Sequence, residues 1–525
     1  MDAKGRIAKS AGVMSVATLI SRILGYVKDM ILAVYFGATA ISDTFFVAFR
    51  IPNLLRELFA EGSMSSAFIP VLTEYQTKHG TDEAKRLVRI AFTFILIFVG
   101  LICLAGIVFA PQIVALIAPG FLKDSEKFAH TVLLTRVMFP FLLFISLAAL
   151  VMGALNTRRV FFVPALAPAM LNITIIAVVL LLVPLLKLPI VAVAVGVTLG
   201  GLVQFAFQIP SFYGKDYDLR PSCEFGHPGL KKMSILIMPA TMGMAVAQIN
   251  IFISTILASY LSQGSITYLY YSMRLIQFPI GIFGVAMGMA VLPALSEHAV
   301  KGDMGKLRED FSFALRLLFF ITVPAMIGLI ALRGPIVNVL FQRGAFDYMA
   351  TTGTADALLF YSLGIWAIVG VRVVTATFYS LNDTRTPVTV AVTAMLINIL
   401  MSLVLMGPLK HSGLAFANAI ASSVNFVLLF YFLRRRLGQI DAKKILISFI
   451  KISFASAVMG VAGWFVLRGD VWVSAGKTLE KAVYLSGVIV LCLSVYAVVS
   501  FALKGEEADY IYQQIKMKLS KRRNA

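Results

Sequence analysis

Apolar stretches of about twenty residues, the length that crosses a hydrocarbon core, recur from one end of this chain to the other, separated by short polar breaks. Counting them gives about fourteen expected spans, at 13–36, 43–74, 88–112, 131–155, 160–183, 187–212, 232–260, 265–297, 312–332, 354–380, 387–407, 411–433, 445–467 and 480–503. Backbone polar groups in lipid must be satisfied within the segment, so each is expected to be helical. The second stretch carries Pro52 and is expected to bend there, and the eighth carries Pro279 and Gly281 in its middle. Gly196 with Gly200 and Gly284 with Gly288 form Gly-x-x-x-Gly pairs. Such pairs favour close helix approach.

The pattern repeats. Ile31-Leu32-Ala33-Val34-Tyr35 matches Ile256-Leu257-Ala258-Ser259-Tyr260, and Arg50-Ile51 matches Arg274-Leu275. Leu155-Asn156-Thr157-Arg158 matches Leu381-Asn382-Asp383-Thr384-Arg385 with one insertion, Ala169-Met170-Leu171 matches Ala394-Met395-Leu396, and Pro184-Leu185-Leu186-Lys187 matches Pro408-Leu409-Lys410. One offset of about 225 residues serves every pair. Six spans per copy is an even number, so both copies enter the membrane from the same side. The expected fold is therefore an all-α polytopic membrane protein: two pseudo-symmetric six-helix lobes, 1–215 and 216–436, with the site between them. Two appended helices and a basic amphipathic tail at 437–525 complete the chain, the tail lying on the membrane surface.

Composition sharpens this. The 525 residues are 59% hydrophobic and only 14% charged, well below the quarter or so typical of soluble domains. The net charge of +20 could suggest nucleic acid, but basic clusters such as Lys85-Arg86, Arg158-Arg159, Lys231-Lys232, Arg434-Arg435-Arg436 and Lys443-Lys444 fall in alternate loops. That is a topology signal and places both termini in the cytoplasm. Neither a nucleic-acid partner nor a cleavable leader before the first span is expected. Cys103, Cys223 and Cys492 are scattered, with no disulfide framework to infer. Phosphate-loop and His-Glu-x-x-His patterns are missing from the sequence. We therefore expect no enzyme, no cofactor and no metal.

Charge inside the spans is the candidate chemistry. Even lenient insertion scales assign about 2.5–3.5 kcal/mol to a charged residue at the centre of a span. Arg22 and Asp29 are seven apart on one helical face, flanked by Ser21 and Lys28, while Arg50, Glu57 and Glu61 share a stripe with Arg56 to one side. The second half supplies Arg274 and Arg372. Arginine forks match phosphate oxygens at two points. The set Arg22, Lys28, Asp29, Arg50, Arg56 and Arg274 therefore suits a phosphate or pyrophosphate, with Ser21, Asp43, Glu57, Glu61 and Arg372 in support. Two alternatives stay open: Arg56 can snorkel to an interface, and Asp43, at the start of a span, can be an N-cap.

At these residues the chain resembles the MurJ (MviN) lipid II flippases of the MOP exporter superfamily. The stretches that carry the resemblance are Ser21-Arg22-Ile23-Leu24-Gly25-Tyr26-Val27-Lys28-Asp29, the run from Asp43 to Arg56 that contains Phe49-Arg50-Ile51-Pro52-Asn53, and Phe59-Ala60-Glu61-Gly62. Tyr270-Tyr271-Ser272-Met273-Arg274-Leu275, Leu340-Phe341-Gln342-Arg343-Gly344-Ala345-Phe346 and Gly407-Pro408-Leu409-Lys410 belong to the same pattern. The resemblance implies transport of the undecaprenyl-pyrophosphate-linked precursor lipid II across a bacterial cytoplasmic membrane for peptidoglycan synthesis. It also implies fourteen helices, a cationic cavity, and a lipid groove on the last two helices. Arg22, Lys28, Asp29, Arg56 and Arg274 match positions that family treats as essential, and Asp43 and Glu61 match acidic ones. Lys28 stands where arginine is frequent, and Met273 where an aspartate can precede the arginine. The seventh and eleventh spans offer Asn250, Asn398 and Ser402 where some relatives place sodium-binding acids. Lipid II and membrane lipids are the expected partners, with cell-wall synthesis proteins as candidates and a monomer as the expected state. A flippase for another polyprenyl-pyrophosphate saccharide is the alternative.

Overall fold

The structure is a computed structural model that describes residues 3–57, 67–438 and 440–523. Among the described residues every regular element is helical. Ten stretches among the described residues are long and apolar enough to cross a bilayer. The chain divides into two compact units, 1–264 and 265–525.

The first unit runs α1 (Ala3–Phe36), α2 (Ala40–Arg56), α3 (Ile69–Lys78), α4 (Thr81–Val108), α5 (Ala110–Ile117), α6 (Ser125–Met138), α7 (Pro140–Thr157), α8 (Phe162–Leu182), α9 (Ile190–Ala206), α10 (Ile209–Tyr213) and α11 (Pro228–Ser259). The expected 43–74 span thus comprises α2 and α3. α2 continues through Pro52 to Arg56, and Glu61, with the Phe59–Gly62 motif, lies outside the described residues. The expected 131–155 span is two helices that meet at Phe139-Pro140, because proline is well placed in a first turn and cannot donate within a helix. Gly200 shows why α9 is glycine-rich. A methyl group there would lie 2.6 Å from Leu171 Cδ1 and 3.1 Å from Leu171 O on α8. Close van der Waals approach of this kind is what holds apolar helices together in lipid.

The second unit runs α12 (Ser265–Pro279), a π-helical turn Ile280–Gly284, α13 (Val285–Lys301), α14 (Met304–Ala331), α15 (Arg333–Phe341), α16 (Tyr348–Ser362), α17 (Ile365–Ser380), α18 (Arg385–Leu437), α19 (Ala442–Val466), α20 (Thr478–Ala502) and α21 (Glu506–Arg523). The wide turn falls where Pro279 and Gly281 interrupt the eighth span. α18 is two helices joined at Lys410, whose φ of 51° and ψ of −132° break the ladder two residues after Pro408. α19 and α20 pack through a core that includes Met459, Trp472, Leu485 and Cys492. Gly463 admits Cys492 so closely that an added methyl would lie 2.6 Å from its sulfur.

One helix stop occurs in both units. α7 ends with Val160 N donating to Leu155 O around Arg159, and α17 ends with Asp383 N donating to Phe378 O around Asn382. Arg159 and Asn382 both sit in the left-handed region, at φ 59° and 57°. These are the same helix stop. The stops at Arg159 and Asn382 are 223 residues apart and the matched Leu155 and Leu381 are 226 apart, so the hydrogen-bonded stop and the polar letters around it do not keep the same register.

Candidate functional site

In the first unit, α1 and α2 carry the charged set. α1 leaves Arg22 exposed, and among the described residues Arg22 makes no ion pair. Beside it, Asn172 Nδ2 of α8 donates to Ser21 O at 3.3 Å. Two turns on, Asp29 is fully buried and Lys28 Nζ lies 3.0 Å from its carboxylate. Arg22 and Asp29 share a helical face as their spacing requires, yet one looks outward and the other is enclosed.

On α2, Arg50 is half-buried. Further along the helix Arg56 Nε donates to Asn53 Oδ1 at 3.1 Å, and Asn53 Nδ2 donates to Glu57 Oε1 at 3.0 Å. Arg56 Nη2 is 3.9 Å from Glu57 Oε1. Gln248 Nε2, from α11, donates to the other Glu57 oxygen at 2.5 Å. The arrangement holds the Arg56 guanidinium by a neutral amide and the Glu57 carboxylate by two amides, which gives Arg56 a defined orientation.

Asp43 is settled differently from its N-cap alternative. Thr39 is the N-cap, its hydroxyl accepting from Ser42 N at 3.4 Å. The Asp43 carboxylate, 1% exposed, takes Lys127 Nζ of α6 at 3.3 Å and Gly264 N at 2.8 Å. It ties the start of α2 to α6 and to the end of the first unit. Lys127 Nζ also lies over the Phe121 ring, 4.1 Å from its centre.

In the second unit, Arg274 is half-buried on α12, one turn and a half before the π-helical turn. Arg372 of α17 crosses the far end of that turn. A methyl at Gly284 would lie 3.4 Å from Arg372 Cδ, and one at Gly288 3.8 Å from Arg372 Cβ. The Gly284–Gly288 pair therefore makes room for an arginine stem. Wide turns of this kind concentrate at functional sites.

Sequence reasoning missed Asn53, Gln248 and Lys127. Asn53 and Gln248 had a signal, an amide within an otherwise apolar run, whereas Lys127 lies in the polar break before the 131–155 span and had none. The Leu340–Phe346 motif also has its account here. Asn338 Nδ2 donates to Trp472 O at 2.8 Å, Gln342 Nε2 donates to Val473 O at 2.7 Å, and buried Lys481 Nζ donates to Ser474 O at 2.5 Å. These bonds clamp the α19–α20 connection onto α15. Among the described residues no group of three or more metal-ligating side chains gathers.

Two helical units, each containing stretches long and apolar enough to cross a bilayer, define the class: a multi-pass helical membrane protein. The same fold occurs in a solved multidrug MATE transporter of the MOP superfamily in an inward-facing conformation, with TM-score 0.65 at 15% identity, over 82% of this chain and 99% of that one. The chain belongs to the lipid II flippase MurJ family, whose sequence pattern matches residues 32–474. It is 36% identical over 506 residues to a probable lipid II flippase MurJ of Vibrio cholerae, covering 95% of this chain and 96% of the relative. A lipid II flippase MurJ of Burkholderia cenocepacia is 34% identical, over 91% and 94%. A solved lipid II flippase MurJ in an inward closed conformation superposes with TM-score 0.77 at 26% identity, over 93% of this chain and 99% of that chain.

Proposed function

We propose that this protein flips lipid II from the inner to the outer leaflet of the bacterial cytoplasmic membrane by alternating access of its two lobes, without chemical turnover of the cargo. One observation carries the reading: fixed arginines and a buried Lys28–Asp29 pair lie within apolar helices of a chain similar over nearly its full length to proteins named lipid II flippases. Arg22, Arg56 and Arg274 grip the pyrophosphate, Lys28 and Arg50 add positive field, and Asp29, Glu57 and Glu61 orient the cations when no cargo is bound. Both termini face the cytoplasm, and the polyprenyl tail stays in lipid against α19 and α20.

The membrane potential contributes about 2.3 kcal/mol per charge per 100 mV. An inside-negative field favours outward motion of the anionic headgroup and inward return of the empty cationic site. Equal flipping rates in sealed vesicles with and without a potential would remove this element.

Depletion of a host's own lipid II flippase, with expression of wild type, Arg22→Ala and Arg274→Ala at matched membrane levels, tests the whole. Rescue by wild type alone is expected. Rescue by all three discards the site, and no rescue by a well-inserted wild type moves the cargo to another polyprenyl-linked saccharide.

A further inference from the structure

Where α18, α19 and α21 meet, the second unit encloses a cavity of about 620 Å³. It is remote in sequence from the charged set described above. Two of its cations are already engaged: Arg316 Nη1 contacts Glu506 at 2.9 Å and Glu507 at 2.5 Å, and Lys444 Nζ contacts Glu506 at 2.9 Å. These pairs build a fixed back wall. The remaining lining charge is unequal, with Arg434, Lys443 and Lys451 against Asp441 alone. Among the described residues Arg434 and Lys443 make no ion pair, and Lys451 Nζ reaches only the carbonyl of Lys504, at 3.4 Å.

A second observation points to a ligand. Ser448 lines the cavity, is 7% exposed, and its hydroxyl has no hydrogen-bond partner among the described residues. A helical serine ordinarily satisfies itself on the carbonyl four residues back. Here the hydroxyl is left to be satisfied by something in the cavity. We propose that this cavity binds the phosphate of an anionic membrane phospholipid, with Arg434, Lys443 and Lys451 as its cationic wall and Ser448 as a neutral donor.

The surroundings favour a lipid over a free anion. α19 is itself a membrane-crossing helix, and Ser448 lies roughly 9 Å in from its start at 1.5 Å per residue, the depth at which headgroups give way to acyl chains. Ile447 lines the cavity and is itself exposed, and Phe454, seven residues on and therefore on the same helical face, is exposed too. These two apolar side chains offer acyl chains a path along α19 away from the phosphate. Free phosphate makes no use of it.

The test uses the purified full-length protein in neutral detergent. The probes are dioctanoyl phosphatidylglycerol, dioctanoyl phosphatidylcholine and inorganic phosphate, read by native mass spectrometry. Phosphatidylglycerol should be retained over phosphatidylcholine. Near a membrane surface each cation is worth about fivefold in affinity, so Arg434→Gln with Lys443→Gln should weaken retention by about 25-fold. Ser448→Ala, which changes no charge, should weaken it severalfold, and its gel-filtration profile should match wild type. Lys215→Gln with Lys231→Gln removes the same charge elsewhere and should change nothing. Equal loss in that control, equal retention of phosphatidylcholine, or displacement by inorganic phosphate at equal concentration would each overturn the proposal: the first as diffuse attraction, the second as no anion recognition, the third as a free-anion site.

Discussion

Replacing Asn53 by alanine removes a neutral residue next to Arg56, which we propose grips the cargo, and it should weaken transport nearly as much as losing a charge. Asn53 Oδ1 receives Arg56 Nε at 3.1 Å while its amide donates to Glu57 at 3.0 Å. Hydrogen bonds to charged groups contribute about 1.5–3 kcal/mol. The Arg56 side chain is 24% exposed, so solvent screening moves the value to the low end. About 1.4 kcal/mol is a factor of ten, so Asn53→Ala should slow flipping at sub-saturating cargo by about tenfold. Asn53→Asp separates the two contacts. It keeps, and charges, the acceptor for Arg56 but sets a second carboxylate beside Glu57. If orientation of Arg56 is what matters, wild type is the most active, the Asn53→Asp variant comes next and the Asn53→Ala variant last. The assay is growth rescue under depletion, paired with outer-leaflet lipid II accessibility in spheroplasts at matched expression. Wild-type flipping by the alanine variant, alongside loss in Arg56→Ala, would refute the reasoning.

Three further outcomes are expected. Lys481→Met and Asn338→Ala each strand buried partners, so their double-mutant cycle in detergent-titrated unfolding should give a coupling of about 1–3 kcal/mol, and additivity within about 0.5 would deny the clamp. The Lys444 hydrogen bond, with the Arg316 pair, holds the Glu506 carboxyl below its ordinary range. A depressed carboxylate stabilises docking above the ordinary value of about 4.3 and loses that contribution as pH falls through the folded pKa. The protection factors of the Ala508–Tyr510 amides, exchange rates corrected for their intrinsic pH dependence, should therefore be unchanged from pH 8 to 6 and fall below about pH 4, and a fall already at pH 6 would contradict the assignment. Gly200→Leu drives a side chain into Leu171 and should cost about 1–3 kcal/mol as overpacking, lowering the melting temperature. Gly226→Ala, with nothing within 4 Å, serves as the neutral control.

Much of the architecture was legible because lipid leaves few options: long apolar runs become helices, and proline and glycine mark where they break. Pro279 and Gly281 announced the π-helical turn, and Pro408 the break at Lys410. Register was harder to read. The stop at Arg159 and Asn382 is a backbone device, and its side chains are free to vary, so the matching letters slid by a turn. Short helices such as α5 and α10 were absorbed into neighbouring spans because hydropathy does not change across their joints.

The candidate site announced its charges in the sequence and hid its amides, for an energetic reason. A charge in a span is costly enough to stand out against its neighbours. An asparagine or glutamine is cheap enough to pass as packing, yet only a neutral polar group can orient an arginine without spending its charge. Glu57 would hold Arg56 more strongly as a close ion pair, and such a pair would offer less net charge to a pyrophosphate. The 3.9 Å separation of Arg56 and Glu57, with Asn53 between them, keeps the carboxylate near enough to lessen repulsion and far enough to be displaced. By the same logic Gln248 holds the carboxylate back. Gln248→Ala should let Glu57 close on Arg56 and weaken cargo binding while leaving protein levels intact. Tighter binding in that variant would reverse the argument.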